Sequence, residues 1–137
     1  MMAHEEPRAL RLTFSYTGSN VKLVSRQSLT MLAPLSDSLA TFAGRSGFWY
    51  ELRNAKGVAI YRRVQENPIQ FTPEAAAADR VSLRRFRVTN PRGIFVLLMP
   101  DLAEAQTLAL VSSPLGTGDA GPATDIALFN LRPVPIA

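Results

Sequence analysis

The sequence predicts an all-β protein built as a two-layer antiparallel β-sandwich, with one domain spanning residues 1–137. Three observations support this fold class. Apolar and polar residues alternate along several short segments, turn-forming Gly, Pro and Asn residues separate these segments, and no long segment has the 3.6-residue period of an amphipathic helix. About eight strands are therefore expected, with at most one short helix.

The first two strands are predicted at the N-terminal end. Apolar side chains occupy every second position from Leu10 to Tyr16, as in a strand with one face in a core and the other in water. The sequence TGSN then predicts a turn into a second strand over residues 21–32. The polar stretch SRQS in the second strand predicts a bulge or bend. Residues 33–47 have no period and are rich in Ser, Ala, Gly and Pro, so we expect a loop.

A hairpin is predicted over residues 48–64, where the sequence NAKG connects two strands and Gly57 takes the left-handed conformation. The register expected for this turn pairs Trp49 with Arg63, buries Phe48 and Val64, and turns Arg62 toward the core. The opposite face is then exposed, and its aromatic and charged side chains are types enriched in interface hot spots. The candidate partner-binding residues on this face are Trp49, Glu51, Tyr61 and Arg63.

The rest of the chain is predicted to add a short helix that begins near Thr72 and four more strands. The strands are expected at residues 80–89, 94–99, 107–113 and 126–131. Residues 94–99 and 107–111 are interpreted as a second hairpin. Residues 114–125 are expected to form a flexible loop, and residues 1–8 to fray.

The strand at residues 94–99 is apolar on both faces, although a strand of a sandwich buries only one face in the core. Either another part of the same chain or another protein must cover the second face, because large exposed apolar patches mark interaction sites. Phe95, Leu97 and Met99 are the candidate partner-binding residues of this strand.

The residue types argue against an enzyme. The single histidine, His4, lies near the N-terminus, cysteine is absent, and the carboxylates are scattered along the chain. No set of nucleophile, base and orienting group can be assembled from these residues, so no catalytic residue is assigned. No metal site and no cofactor are expected either. The sequence GTGDAG lacks the Lys and Ser/Thr of a phosphate-binding loop.

Charge is distributed unevenly along the chain. The net charge is +1 over residues 1–44, +6 over residues 45–92 and −3 over residues 93–137. This distribution allows contact with an anionic partner, or packing of the acidic end of one protomer on the basic middle of another. The candidate anion-binding residues are Arg84, Arg85, Arg87 and Arg92. Because stacking aromatics are not interleaved with them, nucleic acid is not the expected partner.

The number and spacing of the strands, together with Trp49 in the third strand, resemble immunoglobulin and fibronectin type III domains. This resemblance implies a two-sheet sandwich. The chain departs from the immunoglobulin pattern because it has neither the cysteine pair nor the tyrosine two residues before the second cysteine. The hairpin sequence SGFWYELRNAKGVAIYRR also resembles a pattern in small uncharacterised bacterial proteins, which implies no particular function.

These observations favour a non-catalytic protein-interaction or assembly module, with self-association as one option. Two alternatives remain open: a carbohydrate- or ligand-binding module that uses Trp49 and Tyr61 as a stacking platform, and nucleic-acid binding through the strand from Arg80 to Arg92. The N-terminus lacks the pattern of a secretory signal, and the longest apolar run, Ile94 to Pro100, is too short to cross a bilayer. A cytoplasmic location without membrane contact is therefore expected.

Overall fold

The computed structural model describes residues 6–40, 42, 44–69, 92–114 and 121–132. Within these ranges the chain forms β-strands, turns and loops, and none of it forms a helix long and apolar enough to cross a membrane. The helix predicted near Thr72, the strand predicted at residues 80–89 and most of the GTGDAG segment lie outside the described residues. The same holds for His4 and for three of the candidate anion-binding residues, Arg84, Arg85 and Arg87.

Seven strands form two antiparallel sheets, which confirms the predicted two-layer β-sandwich. One sheet has the order β2-β1-β5 and the other has the order β4-β3-β6-β7. The strands are β1 (Arg8–Thr17), β2 (Asn20–Thr30), β3 (Phe48–Arg53), β4 (Ala59–Gln65), β5 (Arg92–Pro100), β6 (Thr107–Ser112) and β7 (Thr124–Asn130). Two strand boundaries differ from the prediction. Arg8, expected in the fraying N-terminal segment, already belongs to β1, and Thr124, expected in the loop at residues 114–125, already belongs to β7.

The core lies between the two sheets and follows from the alternation in β1. Leu10, Leu12 and Phe14 point inward and are almost completely buried. The ring of Phe14 lies 5.1 Å from the ring of Phe95 in its own sheet and 5.1 Å from the ring of Phe129 in the other sheet. Burying an aliphatic or aromatic side chain of this size contributes about 1.5–3 kcal/mol, so this layer accounts for much of the stability of the fold.

The connection between β1 and β2 is the tight turn that the sequence predicts, and Gly18 occupies it with a φ of 60°. The pairing of β1 with β2 shifts register between Thr13 and Phe14, which pair with Ser25 and Leu23. Val24 therefore has no partner and forms a bulge, immediately before the polar stretch where one was predicted.

The predicted second hairpin, residues 94–99 with 107–111, is wrong. β5 pairs with β1 in one sheet, whereas β6 pairs with β3 and β7 in the other sheet. Residues 101–106 carry the chain across from one layer to the next, with a turn closed by the hydrogen bond from Ala105 N to Leu102 O. Two apolar strands that are adjacent in sequence can pack against each other across the core instead of pairing side by side.

The structure also corrects the prediction that concerns the candidate partner-binding residues of β5. Phe95, Leu97 and Met99 point into the core and are buried, so they are not available to a partner. The alternate residues Ile94 and Val96 point away from the core and are exposed. The sequence analysis expected the candidate residues to lie on the exposed face of this strand, but they lie on its buried face.

We expect Gly93→Ala to lower the free energy of unfolding by about 1–3 kcal/mol, the usual cost of overpacking. Gly93 pairs with Tyr16, and a Cβ atom at Gly93 would lie 2.6 Å from Tyr16 Oη and 2.7 Å from Tyr16 Cζ. Urea denaturation measures the change. In a Tyr16→Leu background the same alanine should cost much less, and an equal cost in both backgrounds would show that the ring is not responsible.

Candidate functional site

The hairpin of β3 and β4 has a different register from the one predicted. Trp49 pairs with Val64 and not with Arg63. Leu52 pairs with Tyr61 and Arg53 pairs with Ala59, so Ile60 is an extra residue in β4. The turn itself is as predicted, with Gly57 at a φ of 79°. A single bulged residue beyond the turn therefore displaces every later pair by one position.

This shift exchanges the faces of β4. Tyr61 enters the core and is 3% exposed, whereas Arg62 points to the outer side beside Glu51. The expectation that Arg62 faces the core is therefore wrong, as is the expectation that Val64 is buried, since Val64 is exposed. Tyr61 cannot serve as an exposed contact residue in this arrangement.

The outer face of the four-stranded sheet is covered around Trp49 and Glu51 by the loop between β2 and β3, and we call its described residues 33–40, 42 and 44–47 the strap. Trp49 is 4% exposed and its ring lies 5.0 Å from the ring of Phe42, at an interplanar angle of 87°. Gly47 N donates to Ser113 Oγ at 2.8 Å and helps to fix the end of the strap. The prediction of Trp49 and Glu51 as exposed partner-binding residues is therefore wrong.

Glu51 is the centre of a buried polar cluster under the strap. Its carboxylate accepts hydrogen bonds from Trp49 Nε1 at 3.1 Å, from Arg53 Nε at 2.7 Å and from Arg62 Nε at 3.0 Å. Among the described residues, no buried side-chain nitrogen or oxygen is without a partner. A buried charge is tolerated when it is paired and fully hydrogen-bonded, so this cluster is suited to fixing the structure.

The guanidinium of Arg62 connects this cluster to the strap. It donates to the backbone oxygens of Ser38 at 3.1 Å and Ala40 at 2.7 Å, and it lies 4.1 Å from the centre of the Phe42 ring. A cation over an aromatic ring is attracted by the negative face of the ring. Arg62 therefore holds the strap on the sheet through both polar and aromatic contacts.

Arg53 extends the cluster to the far edge of the sheet. It makes a two-pronged ion pair with Asp125 of β7, with both nitrogen–oxygen distances at 2.8 Å. The hydrogen bonds from Arg53 lower the pKa of Asp125, and the hydrogen bonds to Asp125 raise the pKa of Arg53. Both charges are thus stabilised, which ties β3 to β7 across the intervening β6.

The strap also blocks the open edge of β4. Asp37 N donates to Arg62 O at 2.7 Å, Arg62 N donates to Ser36 Oγ at 3.1 Å, and Val64 N donates to Asp37 Oδ2 at 2.7 Å. An added strand would need Arg62 N, Arg62 O and Val64 N for its own backbone hydrogen bonds to β4. The strap therefore protects this edge against pairing with another chain.

Two tyrosines of the hairpin bond to neighbouring segments of the fold. The hydroxyl of Tyr50 donates a hydrogen bond to Leu98 O at 2.6 Å, and the hydroxyl of Tyr61 donates one to Pro34 O at 2.8 Å. Burial raises the pKa of both tyrosines above the ordinary value, because the charged form would be desolvated. Arg63, the remaining candidate on this hairpin, is half-buried and donates to Leu35 O at 3.0 Å.

An open groove with a volume of about 960 Å³ lies at one end of the sandwich, between the strap, the start of β1 and the connection from β5 to β6. Leu32, which immediately precedes the strap, and Leu35 of the strap line the groove and are strongly exposed. Tyr61 also lines the groove. Its hydroxyl is already bonded to Pro34 O, and the groove is lined both by apolar side chains and by the charged residues Glu6, Arg8 and Asp101.

The outer face of the three-stranded sheet combines exposed apolar and exposed charged side chains. Ile94 is 71% exposed and Val96 is 42% exposed. Arg11, Lys22 and Arg92 are exposed on the same side. Arg11, Ser15 and Thr17 alternate with the inward-pointing residues of β1, so all three point outward. Lys22 pairs with Ser15 and Arg92 pairs with Thr17, so both cations point outward as well. We call the five exposed residues Ile94, Val96, Arg11, Lys22 and Arg92 the cationic face.

The pairing of the strands fixes the layout of the cationic face. In one row across the sheet, Ile94 lies beside Ser15, which lies beside Lys22. The next row contains Val96 beside Thr13, and the row after it contains Leu98 beside Arg11. The apolar side chains therefore lie along the edge strand β5, with Arg92 at the start of that strand and with Arg11 and Lys22 on the other two strands.

Sequence reasoning identified some of these residues and missed others. Arg92, a candidate anion-binding residue, lies on the cationic face, whereas Phe42 and Asp125 were not recognised as partners of the hairpin. No local pattern in the sequence links a loop phenylalanine to Trp49, or an aspartate in a distant strand to Arg53. Within the described ranges, no group of three or more His, Cys, Asp or Glu side chains is placed to hold a metal ion.

Comparison of the chain with protein-family models, with curated proteins and with solved structures finds no match.

Proposed function

We propose that this protein is a non-catalytic protein-interaction module that contacts its partner through the cationic face. The observation that carries the proposal is the exposure of Ile94 and Val96 beside the cations of this face. Exposed apolar side chains next to charged ones are typical of interaction sites, because the apolar side chains lose contact with water when a partner binds.

The contrast between the two sheets supports this choice. The outer face of the four-stranded sheet carries Trp49 and the Glu51 cluster, and the strap covers it. On the three-stranded sheet, the side chains between the cations are small hydroxyl residues such as Thr13 and Ser15. An accessible face of this kind can receive a partner without rearrangement of the strap.

We further propose an immunoglobulin-like relationship for the four-stranded sheet. Its order β4-β3-β6-β7 corresponds to the C′-C-F-G order of that group. The other sheet differs, since β1 and not β2 occupies its central position.

The alternative functions have less support. The buried positions of Trp49 and Tyr61 do not offer a stacking platform for carbohydrate, which would have to use the groove at the end of the sandwich instead. For nucleic acid, Arg92 is the one candidate anion-binding residue among the described residues, and no aromatic side chain accompanies it on the cationic face.

We expect Ile94→Glu to weaken partner binding roughly thirtyfold, equivalent to the loss of a hot spot worth about 2 kcal/mol. The tagged full-length protein is used to capture partners, and the affinity of a captured protein is then measured by titration calorimetry. Leu128→Glu is the matched control, because Leu128 is an exposed apolar residue on the other sheet. Equal losses for both variants, or no loss for Ile94→Glu, would contradict the proposed contact surface.

A further inference from the structure

We infer that the partner presents an acidic and aliphatic protein segment to the cationic face. This inference rests on the proposed function and specifies the chemistry of the partner. It is carried by the charge of the sheet: β1, β2 and β5 contain Arg8, Arg11, Lys22, Arg26 and Arg92 and no aspartate or glutamate.

The sign of the charge on this face is uniform. Arg11, Lys22 and Arg92 all lie on the outer side, and these strands supply no carboxylate to neutralise them. A surface of one sign attracts partners of the opposite sign and disfavours partners of its own sign. Carboxylates are the anionic side chains of an unmodified protein, so Asp and Glu are the matching groups.

The spacing of the cations specifies how the acidic groups should be arranged. Lys22 lies beside Ser15 and Arg11 lies four residues earlier in β1. Four residues of a strand span roughly 13 Å. An extended segment with two carboxylates about four residues apart can therefore meet both cations as it crosses from β2 to β1. Val96 lies beside Thr13 on the other side of β1, so an aliphatic side chain of the segment that points toward β5 would meet it.

A second copy of this chain matches the face less well. Two carboxylates in its acidic C-terminal third are already engaged within the chain: Asp125 pairs with Arg53 at 2.8 Å, and Asp101 lies 3.6 Å from Arg132. Using either of them would require breaking an existing ion pair, and the exposed Glu104, the remaining carboxylate described in this third, cannot meet Arg11 and Lys22 together. A different protein that brings its own carboxylates is therefore the better match.

Nucleic acid also carries negative charge but fits the face less well. The aromatic side chains of these strands, Phe14, Tyr16 and Phe95, point into the core, so the face has no ring on which a base could stack. The side chains Ile94 and Val96 require an apolar group opposite them, which a phosphate backbone does not offer. An aliphatic side chain of a protein supplies that group directly.

The test is fluorescence anisotropy with the full-length protein and labelled peptides. One peptide alternates Glu and Val, a second alternates Lys and Val, and a third alternates Glu and Ser. We expect the Glu-Val peptide to bind most tightly, and its affinity to fall as salt is raised, since salt screens exposed charges. Arg11→Gln and Lys22→Gln should each weaken binding roughly 1.5-fold to fivefold. Lys56→Gln, on the exposed turn of the other sheet, is the control and should have no effect.

Several results would overturn the inference: no binding of the Glu-Val peptide, equal affinity for the Lys-Val peptide, or no response to salt. Tighter binding of single-stranded DNA or of vesicles that contain phosphatidylserine would assign the face to nucleic acid or to membrane instead. If Ile94→Glu weakens binding of a captured partner while Arg11→Gln and Lys22→Gln do not, the proposed function stands and the acidic partner is wrong. If none of the three has an effect, both fail.

Discussion

Replacing Glu51 with alanine is expected to lower the free energy of unfolding by about 3–5 kcal/mol, as found when one partner of a buried ion pair is removed. The side chains of Glu51 and Arg62 are each only 7% exposed. Without the carboxylate, the Arg62 guanidinium would stay buried with no counter-charge, and Trp49 Nε1 would lose its acceptor. Urea denaturation, with the slope checked for constancy, measures this loss.

Asp125→Ala provides the matched control for Glu51→Ala. Asp125 binds the same Arg53 side chain as Glu51, but the Asp125 side chain is 42% exposed. Exposed ion pairs contribute about 0–1 kcal/mol because water screens the charges, so the control should change stability little. Similar losses for the two variants would show that burial of the Glu51 cluster does not determine its contribution.

Combining Glu51→Leu with Arg62→Leu is expected to recover part of the lost stability, because no unpaired charge is then buried. Recovery should be incomplete, since Arg62 also donates to Ser38 O and Ala40 O in the strap. A double variant as unstable as the sum of the two single variants would show that the charges are not coupled.

Replacing Phe14 with alanine is expected to lower the free energy of unfolding by about 3–5 kcal/mol, through lost burial and the cavity left behind. Phe14 is completely buried and contacts rings from both sheets. Thermal or urea unfolding measures the effect. Because Phe129 belongs to the opposite sheet, this variant also tests whether the two layers share one core.

Ile94→Ala is the control for Phe14→Ala. Ile94 belongs to the same three-stranded sheet but points away from the core and is strongly exposed. Substitutions at exposed positions usually change stability by no more than about 0.5 kcal/mol. If Phe14→Ala were as mild as Ile94→Ala, the assignment of inner and outer faces to this sheet would be wrong.

These stability and binding predictions separate two kinds of surface in one small protein. The strap covers the outer face of the four-stranded sheet around Trp49 and Glu51, and the aromatic and charged residues there stabilise the fold. The cationic face has no such cover from the strap and carries the proposed binding function. Variants on the first surface should therefore change stability, and variants on the second should change binding while leaving the fold intact.

The sequence alone determined the fold class, most strand positions and two turns. Alternation from Leu10 to Tyr16 identified the inner face of β1 because a strand side chain points to the same side every second residue. Gly18 and Gly57 marked their turns because both have the positive φ that glycine adopts readily. These features depend on residues close together in the chain, and their local patterns are sufficient.

Tertiary structure decided the pairing of the strands and the exposure of their faces. The bulge at Ile60 reversed the orientation of Tyr61 and Arg62, and no residue type near that position specifies an extra unpaired residue. The burial of Trp49 depends on Phe42 in the strap, and the assignment of β5 and β6 to different sheets depends on packing across the core. Such contacts join residues that are far apart in sequence, so a local sequence pattern cannot predict them. Only the folded chain determines which apolar side chains face water.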